Sequence, residues 1–185
     1  MSYRPAGSGG GVWTPIETVT ISNQATVEMD LTGSHSQYVL HIDNLVPVTD
    51  ATDLYLRFSV DGGSTFLSGA SDYAWSVKTI ITVSITTVNS AADSQVELSH
   101  SSNNLGNTTD ECLNGFVYIH NAKQTTKAVS TTSPLFGIGS NGQSVTPYGR
   151  GALIANIDEV DAIQLLASSG NLSTGRVSLY GVDTA

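Results

Sequence analysis

A single cysteine, Cys112, stands in a chain of 185 residues. No intrachain disulfide can form, so stability must come from a buried core. Charge is scarce too: 12% of the residues are Asp, Glu, Lys or Arg, and seven basic residues against sixteen acidic ones leave a formal net charge of -9. A chain of that sign is repelled by phosphate backbones and by anionic lipid headgroups, which argues against nucleic acid and membrane as partners. No apolar run approaches transmembrane length. The opening MSYRPAGSGGG has no apolar segment behind Arg4, so it does not read as a secretory signal, and synthesis in a cytoplasm is expected. Helical periodicity is nearly missing. Only Ile154, Ile157, Val160/Asp161 and Gln164/Leu165 approximate it, and a loop at 157–159 leading into a strand from about Val160 to Ala167 reads better.

What remains is Ser, Thr, Asn and Gln for the polar surface and β-branched residues for the interior, the profile of strand-rich architectures. Strand patterns follow one another at short spacing. Val27, Met29 and Leu31 alternate with Glu28 and Asp30, and Leu54, Leu56, Phe58 and Val60 alternate with Tyr55, Arg57 and Ser59. Further strands are expected at Gln37–Ile42, Tyr73–Val77, Phe116–His120, Lys123–Thr132 and Arg176–Val182. Thr79 to Val88 (TIITVSITTV) reads as one β-branched run. Residues 89–114 read as a long polar surface excursion with one short strand at Val96–Leu98, and Pro134 to Gly151 as a glycine-rich loop. The expectation is all-β: a flexible N-terminal arm at 1–12, then one antiparallel β-sandwich over 13–185, jelly-roll-like.

The stretch SVDGGSTF raises the question of catalysis. Its Ser59, Asp61, Gly62, Gly63, Thr65 and Phe66 fit Ser-x-Asp-x-Gly-x-Thr-Phe, which resembles the Asp-box of sialidases and other β-propeller proteins. The local chemistry is that of a hairpin: Asp61-Gly62-Gly63 supplies positive-φ positions and a carboxylate able to accept backbone hydrogen bonds. Propeller blades recur about every 40–50 residues, and no second copy occurs at that period. A carboxylate-binding arginine cluster is not apparent either, since Arg4, Arg57, Arg150 and Arg176 are scattered. A structural hairpin is the stronger reading, with a sialidase-like glycoside hydrolase as the remote one.

Other chemistry has less support. His35, His41, His100 and His120 show no ligand spacing, Asp43, Asp50 and Asp53 match no calcium loop, and neither metal nor cofactor is expected. No Gly-x-Ser-x-Gly elbow occurs. Asp158, Glu159 and Asp161 crowd one short segment rather than flanking a scissile bond. Gly137-Ile138-Gly139 is too short for a dinucleotide fingerprint. Tyr73 and Trp75 share one strand face and could stack on sugar, although core or interface filling explains them better; Tyr148 is the other aromatic candidate.

Several phrases together, QYVLHIDNLVP, DLYLRFSVDGGSTF, SDYAW and SSGNLSTGRVSLYGV, resemble virion proteins of tailed bacteriophages. That resemblance implies a non-enzymatic structural component of the virion, an oligomeric jelly-roll in a tail fibre or appendage, or on the capsid surface as a head fibre or decoration. It implies a homo-oligomer, a trimer before a dimer, in contact with other virion proteins and with a host surface glycan as a further partner. The arm then reads as an attachment element that contacts a neighbour through Tyr3, Arg4, Val12 and Trp13. A free carbohydrate-binding module is the rival from another class.

Overall fold

The computed structural model describes residues 13–82, 84–99, 104–108 and 110–183. The arm residues Tyr3, Arg4 and Val12, and His100, lie outside the described residues. Among the described residues twelve strands form: β1 (Trp13–Gln24), β2 (Thr26–Asp30), β3 (Gln37–Pro47), β4 (Leu54–Ser59), β5 (Tyr73–Ile81), β6 (Ser84–Asp93), β7 (Val96–Glu97), β8 (Leu113–His120), β9 (Ser130–Ile138), β10 (Ser144–Leu153), β11 (Ala162–Ala167) and β12 (Leu172–Val182). They build an eight-stranded sheet in the order β1-β12-β3-β8-β9-β10-β5-β6 and a four-stranded sheet in the order β2-β11-β4-β7. Every pairing is antiparallel. The expected antiparallel sandwich is therefore what the chain forms.

Alternation explains the layering. Along β5 and β8 every second residue is buried, so Tyr73, Trp75, Val77, Leu113, Val117 and Ile119 point at the small sheet. They meet Met29, Leu56, Phe58, Ile163 and Leu165 from the other side in one continuous core. Each such side chain, once buried, contributes roughly 1.5–3 kcal/mol of transfer free energy, which offsets the entropy of ordering the strands. Four strands do not cover eight. The two edges of the large sheet extend past the small one: β1 buries only Ile21, and β6 buries nothing fully.

Composition misleads in four places. Thr79–Val88 is not one strand but the meeting of β5 and β6, with Ile80 opposite Ile85 and Ile81 opposite Ser84. The polar excursion is shorter than expected, because β6 runs on to Asp93 and Leu105 bridges to both Thr52 and Gly139. Lys123–Val129 is turn and loop, and β9 opens only at Ser130. The glycine-rich stretch 134–151 carries two long strands, β9 and β10. Pro134 sits in the middle of the large sheet, where its missing N–H should be costly. Gly115 on β8 relieves the crowding: its φ is 133, and a Cβ there would strike the Pro134 carbonyl oxygen. The residues 154–161 form neither helix nor strand, and β11 begins at Ala162.

Candidate functional site

The SVDGGSTF segment closes on itself. Ser59 Oγ donates to Asp61 Oδ1 at 2.8 Å and accepts the backbone N–H groups of Asp61 at 3.2 Å and Gly63 at 3.0 Å. The Asp61 carboxylate accepts the Thr65 hydroxyl at 2.6 Å and the Thr65 N–H at 2.9 Å. These donors, the Thr65 hydroxyl first, hold the Asp61 carboxyl below its ordinary 3.8. Gly62 and Gly63 supply φ values of 71 and 76, and the Gly62 N–H donates to Asp161 Oδ2 at 2.8 Å, which pins the loop to the start of β11. Both carboxylate oxygens are engaged by the loop itself.

One expectation about this stretch needs correction. No paired strand follows the turn, so it is not a β-hairpin: β4 lies in the small sheet and β5, the next strand, in the large one. Phe66 is half-buried, and beside it Leu67 packs against the core and donates its N–H to the Phe58 carbonyl at 2.9 Å. The segment is the crossing point between the two sheets. Tyr73 locks it, because its hydroxyl accepts from Phe58 N–H at 2.9 Å and donates to the Leu67 carbonyl at 3.0 Å. Burial pushes that hydroxyl up to about 12.

The aromatic candidates separate accordingly. Tyr73 is fully buried, and Trp75, 6% exposed, donates its indole N–H to Asp93 Oδ2 at 2.9 Å. Both are core residues, and Trp75 also lines a groove formed with β6, β9 and β10. Tyr148 and Trp13 are the reverse: they stand on the outer face of the large sheet, the face turned away from the small one.

That outer face is the most unusual surface of the molecule. Five of its residues are large apolar side chains left in water: Trp13 at 43%, Ile80 at 45%, Tyr148 at 54%, Phe136 at 55% and Ile85 at 59% exposure. Around Trp13 the rings touch. Its centroid lies 5.9 Å from Phe116, edge to face, and 5.5 Å from Tyr180; His41 stacks on Phe116 at 4.9 Å; Tyr118 follows at 6.2 Å. These residues come from β1, β12, β3 and β8, neighbours in the sheet although far apart in sequence. Their rings cover Val39, which faces outward between Tyr180 and Tyr118 yet is 0% exposed. Reading the outward phase of each strand (Phe116 and Tyr118 alternating with Val117 and Ile119, for example) gives these residues one by one, but strand order alone makes them a cluster.

Charge on this face departs from that of the chain. The strand residues pointing outward include Lys78, Arg150 and Arg176 against one carboxylate, Asp43. Arg176 donates to Asp43 at 2.6 Å, so the acid is already neutralised. Among the described residues no group of three or more His, Cys, Asp or Glu side chains is placed to hold a metal ion. The chain matches no protein-family model and no curated protein sequence.

Proposed function

We propose that the protein is a non-enzymatic structural component of a bacteriophage virion, a jelly-roll-like sandwich that works as a homo-oligomer in a tail fibre or appendage, or on the capsid surface. The observation that supports assembly is the contrast between the two edges of the large sheet. β1 carries Pro15, Glu17 and a bulge between them, devices that keep an edge from pairing with another chain. β6 has its own register shift and a charge only at its far end, between Ser90 and Asp93; from Ser84 to Ser90 its pairing with β5 is unbroken, and it presents Ser, Thr and Asn with Ile85 and Val88, no charge and no proline. An unguarded edge of that length in a folded protein is kept for a partner, and the exposed Ile80–Ile85 pair beside it adds apolar area to the contact. The phage resemblance of the sequence supports a trimer and a place in the virion. The arm 1–12 enters the body at Trp13, on the aromatic cluster, and serves as the attachment to a neighbouring virion protein.

Two measurements test this reading. Light scattering on the purified protein at micromolar concentration is expected to give a stable oligomer; a monomer overturns assembly. Locating the chain in an electron-microscopy map of purified particles tests the virion assignment, and its absence from the particle overturns that part. Deleting residues 1–11 is expected to leave the melting temperature nearly unchanged while reducing incorporation into particles.

A further inference from the structure

The other half of the outer face holds a groove. Across β9, β10 and β5 two rows of neighbours run side by side: Thr132–Arg150–Ser76 and Ser130–Ala152–Ala74. Small side chains on both sides of Arg150 leave a trough of about 600 Å³, bordered by Asn89, Ser90 and Ala91 of β6. That volume lies within the range of about 300–1,000 Å³ typical of small-molecule sites.

Three features fix the chemistry of an occupant. The first is charge. Arg57 bonds the Ser94 carbonyl and Gln95, and Arg176 bonds Asp43, whereas Arg150 has no hydrogen bond or ion pair among the described residues. Lys78 stands one diagonal step away on β5, a separation of about 7–8 Å for such pairs. In a chain with net charge -9 this is a place with cations and no free acid. A planar guanidinium in that position suits a carboxylate, which it can hold through two parallel N–H donors. The second is polarity. The hydroxyls of Ser76, Ser130 and Thr132 and the amide of Asn89 both donate and accept, as the vicinal hydroxyls of a sugar ring require. The third is flatness: Ala74 and Ala152 offer methyl groups to the C–H face of a ring, and beyond the trough Tyr118 stands opposite Thr132 on β8. A long polyanion is disfavoured by the overall negative charge, so the acid must sit on a largely neutral, hydroxylated body.

We propose that this groove binds a carboxylated saccharide, with the carboxylate on Arg150 and the ring lying over Ser76 and Thr132. The proposal rests on the non-enzymatic reading above, but not on a place in a particle, and it leaves Ser84–Val88 of the β6 edge free for assembly.

The test uses the intact, isolated protein. Sialyllactose and a glucuronic-acid disaccharide serve as carboxylated probes and lactose as the neutral control, followed by calorimetry and by NMR shifts of backbone amides. At least one carboxylated probe is expected to bind and to move the amides of Ser76, Thr132 and Arg150, with lactose weaker by about tenfold or more. Arg150→Gln should lower that affinity about tenfold at unchanged melting temperature and unchanged oligomeric mass, and Arg150→Lys should restore part of it. Failure of both carboxylated probes to bind at millimolar concentration overturns the site, and so does binding that Arg150→Gln leaves intact. A change in oligomeric mass on Arg150→Gln also overturns it, because the face would then be a protein interface. None of these outcomes bears on whether the protein resides in a virion.

Discussion

At the scale of single residues, the crossing between the sheets depends on two polar groups. Tyr73 places one hydroxyl between a backbone donor and a backbone acceptor that have no other described partner role at the crossing. Tyr73→Phe keeps the ring and strands both groups, which should cost about 1–3 kcal/mol in urea unfolding while the fold is retained. A Tyr73→Phe stability within error of wild type would mean that the hydroxyl is dispensable. Gly62 and Gly63 make a second case. A Cβ at Gly62 would meet nothing within 4 Å, so Gly62→Val isolates the conformational cost of a φ of 71, expected at about 1–3 kcal/mol. Asp61 is different in kind, since its contribution is electrostatic and exposed. Its folded carboxyl lies below the ordinary 3.8, so the stabilisation is complete above that value and is lost as pH falls through the lower folded one. Asp61→Asn should therefore flatten part of the acid limb of a stability-versus-pH curve. A limb of unchanged steepness in the variant would count against this account.

At the scale of elements, β6 is the strand whose sequence and surroundings disagree. Its residues favour a strand, yet it hangs beyond the small sheet and buries no side chain fully. Its fold therefore comes mainly from backbone pairing with β5, with Val88 packing only partly against the core. Ile85→Lys, on the exposed face of that edge, should leave monomer stability within about 0.5 kcal/mol, because no packing is lost. It should also shift the mass seen by light scattering towards the monomer, as a charge on an edge blocks pairing. A variant that keeps the wild-type mass would place the interface elsewhere. β9 and β10 show the opposite relation. Their glycines and prolines weaken any local strand signal, but each strand has a hydrogen-bonded neighbour on both sides, and that context overrides local preference.

At the scale of the whole molecule, buried and hydrogen-bonded groups set a pH range for stability. His120, desolvated on the outer face, is held below its ordinary 6.5, so stability begins to fall as pH drops through 6.5 and the unfolded chain takes up the proton first. The depressed carboxyls of Asp61, Asp110 and Asp183 add a steeper loss below their ordinary 3.8. On the alkaline side Tyr55 and Tyr73 are raised to about 12, chiefly by desolvation. Their contribution is whole below the ordinary 10.0 and is lost as pH rises from there towards 12. Urea midpoints measured across pH should form a plateau between about 6.5 and 10, and His120→Gln should extend its acid end downwards. A midpoint that declines steadily through that range would contradict the assignment.

The sequence by itself determined the class of fold, because period-two alternation in stretches such as Leu54–Ser59 and Phe116–His120 is a local property that burial on one face requires. It also determined the turn at Ser59–Thr65, since serine, aspartate, glycine and threonine at those offsets satisfy one another within seven residues of chain. Tertiary structure alone decided what that turn joins, which strands Pro134 and Gly149 enter, and which side chains become neighbours. Trp13, Tyr180 and Phe116 are separated by most of the chain, and Ser76 meets Arg150 only because β5 lies beside β10. Strand order is set by how two sheets of unequal width best cover a shared core, a sum over many distant contacts, and no local stretch of sequence carries that sum.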